Sequence, residues 1–68
     1  MDEPRITVQN SAGEAAIAGN AEGLRQLAQR LLELAEPGLR NGYHLHLDPG
    51  VDLEDGSAGL ILERDDSI

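Results

Sequence analysis

The sequence predicts an α+β fold of two layers, in ββ-α-ββ order, with one amphipathic helix packed on a four-stranded, mainly antiparallel sheet. Three features carry this expectation. Short stretches near both ends alternate apolar with polar residues, leucines recur at helical spacing between them, and glycine, proline or asparagine marks each junction.

The first strand is read over Arg5 to Gln9, where Ile6 and Val8 share one side and Pro4 limits the start. Asn10 to Gly13 supplies an Asx-type turn start and a glycine able to take positive φ. Glu14 to Ala18 then returns as a second strand, with Ala15 and Ile17 inward. Its small residues have weak strand preference, so its pairing must come from the hairpin.

The helix is predicted over about 20–36. Asn20 is a good N-cap, because its side-chain oxygen can accept from an unpaired first-turn amide, and Glu22 complements the positive helix end. Leu24, Leu27, Ala28, Leu31, Leu34 and Ala35 recur at three and four, opposite Arg25, Gln26, Gln29, Arg30, Glu33 and Glu36. Leu32 widens the apolar stripe, which suits a helix lying across a sheet better than a narrow coiled-coil seam. Pro37-Gly38 ends the helix, since proline cannot continue the hydrogen-bond ladder.

From Tyr43 the chain alternates again, with Tyr43, Leu45 and Leu47 expected to face the helix and His44, His46 and Asp48 to face away. Asp48-Pro49-Gly50 is turn chemistry, and Ala58 to Arg64 forms the last strand, with Leu60 and Leu62 on one side and Ile61 on the other. Pairing of the third strand with the first gives spatial order 2-1-3-4, with a parallel central pair as the alternative. The whole chain, 1–68, reads as a single domain with frayed tails at 1–4 and 65–68.

Composition narrows the function classes. Thirteen Asp and Glu against five Lys and Arg give a formal net charge of −8. That balance repels nucleic acid and anionic lipid and steers toward basic partners. No cysteine is present, so neither disulfides nor a thiolate metal site staples the chain. No apolar run is long enough for a membrane span or a signal peptide, and a cytoplasmic location is expected. At this length stability is marginal, and a homodimer through a sheet edge or through Leu32, Leu39 and Ile61 would add to it.

The stretch from Gly42 to Gly50, GYHLHLDPG, holds both histidines, two residues apart, with Asp48 at the same spacing beyond. Side chains two apart on a strand stand about 7 Å apart and parallel, close enough for two imidazoles to share a metal ion. His44, His46 and Asp48 therefore have three readings: a solvated strand face, a protein-contact surface, or part of a metal site. The loop acids Asp52, Glu54 and Asp55 are either a solvated connection or, with Asp48, Glu63 and Asp65, an anionic rim that pairs with a partner's arginines and lysines. Tyr43, the sole aromatic residue, is assigned to the core.

Catalytic parts are scarce. There is no Cys or Lys, and Ser11, Ser57 and Ser67 sit in turns or the tail rather than in a nucleophile setting. Gly19 to Gly23 opens a helix after a strand, but its glycines fit a turn and a helix entry, and Glu22 would oppose phosphate. Neither enzyme activity nor a cofactor is expected.

Taken together, IAGNAEGLRQLAQRLLELA, HLHLDP and GSAGLILER resemble a family of small immunity proteins from bacterial polymorphic toxin systems, over about Ile17 to Arg64. The resemblance implies an α+β protein that binds and neutralises a cognate toxin inside the producing cell, and acidity suits a basic toxin. The expected contact surface is His44, His46, Asp48, Asp52, Glu54 and Asp55. A small structural or regulatory homodimer, or a His-x-His metal-binding protein, would carry the same residues in other roles.

Overall fold

A computed structural model describes residues 3–68. The elements follow the expected order: β1 (Ile6–Ser11), β2 (Glu14–Gly19), α1 (Ala21–Leu34), β3 (His44–Leu47) and β4 (Leu60–Glu63). The fold is α+β, as expected. The four strands, however, form two separate antiparallel hairpins, β1-β2 and β3-β4, rather than one sheet.

A loop prevents the expected β1-β3 pairing. On the side of β1 away from β2, the amide of Glu54 donates to the Ile6 carbonyl at 2.9 Å and that of Ala58 to the Val8 carbonyl at 2.8 Å. The Val8 amide donates to Ser57 Oγ at 3.2 Å. Residues 54–58 thus run beside β1 in the same direction and occupy the backbone groups that a third strand would use. Its irregular path, with Ser57 N bonded back to the Glu54 carbonyl at 3.2 Å, keeps it from becoming a strand.

Each hairpin is set by local chemistry. Ala12 (φ 53) and Gly13 (φ 81) make a two-residue connection with both residues at positive φ, the geometry that matches strand twist. In β1-β2, Val8 lies opposite Ile17. In β3-β4, His44 lies opposite Glu63 and His46 opposite Ile61.

The helix starts where predicted. Asn20 Oδ1 accepts from the amide of Gly23 at 2.8 Å and from that of Arg5 at 3.0 Å, so one side chain caps the helix and ties it to the front of β1. The other end comes at Leu34, before the expected Glu36. No basic residue stands in the last turn of α1. Arg64, just after β4, takes that role, with Nη1 donating to the carbonyls of Leu34 (3.3 Å) and Glu36 (2.7 Å).

The core lies between helix and hairpins. Ile6, Val8, Leu27, Leu47 and Leu53 form the buried cluster, with Leu60 and Leu62 packed on it. Leu47 is 1% exposed and Leu53 3%. Leu53 comes from the loop read above only by its acids, and it is the residue that draws that loop inward.

Several inward assignments are corrected. Leu24 and Leu31 remain 47% and 49% exposed, because the helix buries the line Gly23, Leu27 and Leu34 instead of the centre of the predicted stripe. Ala15 and Ile17 on β2 are exposed as well. Tyr43 precedes β3 rather than opening it and is exposed, with the Arg40 guanidinium 5.8 Å from its ring centroid. Of the expected tails, residues 1 and 2 lie outside the described residues; Glu3 and Asp66 are held by Asn20 and Asn41.

Candidate protein-binding surface

Alternation in β3 decides where the histidines go. Burial of Leu47, with Leu45 half-buried beside it, turns His44 and His46 to the outer face, where both are exposed. Their rings meet edge to face, with centroids 5.1 Å apart and planes at 73°. His44 Nδ1 lies 3.2 Å from the Gly42 carbonyl oxygen.

Asp48 takes no part in a cluster with them. Its backbone organises the loop: the Asp48 carbonyl accepts from the amides of Val51, Asp52 and Leu53, and its own amide donates to Asp52 Oδ2 at 3.2 Å. Among the described residues no three His, Asp or Glu side chains gather where a metal ion would need them. Among the described residues, the His-x-His spacing thus brings two imidazoles together with no third such side chain gathered to them.

The loop acids have separate fates. Asp52 is half-buried and faces Arg30, with Nη2 to Oδ1 at 3.3 Å. Glu54 pairs with Arg5 at 2.6 Å. Both charges are matched within the chain, which lowers what they can offer a partner. Glu54 and Asp55 line a groove with Arg5, Thr7, Ala18, Gly19 and Asn20, whereas His44, His46 and Asp48 lie outside it. Of the six expected contact residues, Glu54 and Asp55 thus line a groove that the other four do not.

The cross-strand register brings other residues to the histidines. Glu63 stands opposite His44 and Ile61 opposite His46, so the outer face of β3-β4 carries two imidazoles, a carboxylate and an aliphatic side chain that is 59% exposed. Ile61 and Glu63 also line a second groove, shared with Leu31 and Leu34 of the helix, with Ala35 just after it and with residues 64–66. Asp65 is one of its lining residues. Its carboxylate accepts from the hydroxyl and the amide of Ser67, which holds its pKa below the ordinary value of 3.8. The outer-face place of Ile61 was legible from alternation. Its position next to the helix flank was not, since that depends on tertiary packing.

No helix among the described residues is long and apolar enough to cross a membrane. A comparison with curated proteins finds no match, and neither does one with solved structures. The family model described as Immunity protein 32 matches residues 14–65. That span runs from the start of β2 past the end of β4, covering the helix and the whole outer face just described. On that match, which takes in most of the chain, the protein belongs to the Immunity protein 32 family.

Proposed function

We propose that this protein is a non-enzymatic immunity factor that neutralises a cognate toxin by direct contact, in the cytoplasm of the cell that makes both. Membership in the Immunity protein 32 family is the observation that carries this reading. A net charge of −8 favours a basic toxin, since complementary charge speeds association and selects partners. The proposed contact surface is the outer face of β3-β4, with His44 and His46 and the exposed Asp48 just after β3; Asp55, exposed at the other groove, is a separate point of contact. Asp52 and Glu54, engaged by Arg30 and Arg5, act as supports of the loop more than as contacts.

Co-production with the toxin encoded beside this chain's own gene tests the reading. Cells that survive only when this protein is present, together with a complex of the two purified chains, are the expected result. The complex should weaken as salt rises, because exposed charges are screened. Cells that die regardless of its presence, or chains that do not associate at low salt, would reject the proposal.

A further inference from the structure

A groove lies between the second half of α1 and β4. Its apolar lining is Leu31, Leu34, Ala35, Ile61 and Leu62, and Glu63, Asp65 and Asp66 are its acids. Leu31 and Ile61 are each about half exposed or more. Among the described residues β4 pairs with β3 alone, and Ile61 stands on the outer face of that hairpin. Leu31 and Ile61 thus present aliphatic surface beside the acids of the same groove.

Charge decides among the occupants. Arg64, the cation among the described residues that line the groove, is turned back onto the carbonyls of Leu34 and Glu36 and onto Asp66. Glu63 and Asp65 make no ion pair with a described residue. A second copy of this chain would bring the same acidic rim against itself, with −8 on each partner. A basic partner meets no such repulsion.

We infer that this groove is the anchor point for the toxin: it receives an apolar side chain of the partner between Leu31 and Ile61, while Lys or Arg residues flanking that side chain pair with Glu63 and Asp65. The assignment rests on the immunity reading above. It divides the labour of binding, with the groove supplying affinity and the acidic rim supplying rate and selectivity.

The test uses the full chain and the purified toxin encoded beside its gene, with association measured at low and high salt and folding checked by circular dichroism. Leu31→Glu and Ile61→Glu should each weaken binding at least ~30-fold, as loss of a central anchor does. Leu32→Glu, the same chemistry on the same helix but outside the groove, should bind as wild type does. Glu63→Arg with Asp65→Arg should slow association about tenfold at low salt and much less at high salt. Wild-type binding with both Leu31→Glu and Ile61→Glu unimpaired would overturn the groove and leave the immunity reading standing. Absence of binding by the wild-type chain would overturn both. Self-association of the free protein that Leu31→Glu abolishes would assign the groove to a second copy and overturn the toxin assignment.

Discussion

Gly23, in the first turn of α1, packs directly against the carbonyl of Arg5: a β-carbon added there would lie under 3.0 Å from that oxygen and 2.9 Å from Ile6 Cγ1. This contact seats the helix on the front of β1, beside the Asn20 side chain that bonds both segments.

Gly23→Ala should therefore destabilise the protein, although alanine improves most helices by about 1 kcal/mol over glycine. Forcing a methyl into a filled space costs about 1–3 kcal/mol. Backbone oxygen cannot swing aside as a flexible side chain can. Denaturant midpoints compare the two proteins, and a variant that unfolds at the wild-type concentration or above it would show that the helix can shift at little cost.

Leu53 offers a second check, because it stands in a stretch that looks fit only for solvent. Leu53→Ala should cost about 2–5 kcal/mol, the range for emptying a filled core site, and should loosen residues 54–58 from β1. Val51, two residues earlier and 81% exposed, serves as the comparison: Val51→Ala should stay within about 0.5 kcal/mol of wild type. Thermal melts that move equally for both variants would show that the loop is not part of the core.

Ala12 holds φ 53 in the β1-β2 turn. An L-residue with a β-carbon pays for that region, and asparagine followed by glycine is the favoured pair in this type of connection. Ala12→Asn should stabilise the protein by up to about 1 kcal/mol. A melting temperature that falls would show that the turn is selected for something other than its backbone angles.

Removing the Ser67 hydroxyl tests the acidic lining of the groove. The hydroxyl is the leading cause that lowers the Asp65 pKa, followed by the Ser67 amide. A carboxyl whose folded pKa is depressed favours folding above its unfolded value, and that contribution is lost as pH falls through the folded one. Ser67→Ala should bring the Asp65 pKa back toward 3.8, with the amide bond keeping part of the depression. Carbon-detected NMR titration of Asp65 reads this directly; identical curves for the two proteins would mean that the tail does not hold this turn in solution.

Patterns with a short period came through from sequence to structure. Ile6 and Val8, two apart on a strand, are buried as their alternation requires, and the same rule turned His44 and His46 outward once Leu47 faced the core. Asn20 capped the helix because its side chain needs only the amide three residues on. Where two candidate faces competed, the pattern could not choose. The apolar stripe of α1 is wider than the hairpins can cover, and burial of Leu27 and Leu34 leaves Leu24 and Leu31 half in water. Tyr43 fits the alternation of β3 in sequence, yet it lies outside the strand and beneath Arg40. In the expected contact surface, spacing placed both histidines correctly, but it could not reveal that Asp52 and Glu54 are paired with arginines 22 and 49 residues away.

By itself the sequence determined an acidic, cysteine-free α+β chain with two hairpins around one capped helix, since each of these depends on composition or on neighbours a few residues apart. Only the tertiary structure decided that the hairpins stay separate. Leu53 carries its loop into the core, and Glu54, Ser57 and Ala58 then take the hydrogen bonds on the free side of β1. The same packing sets Ile61 beside Leu31 at the acidic groove. Contacts between residues 30 or more apart arise when one set of buried side chains excludes the alternatives, and no local pattern records which set that is.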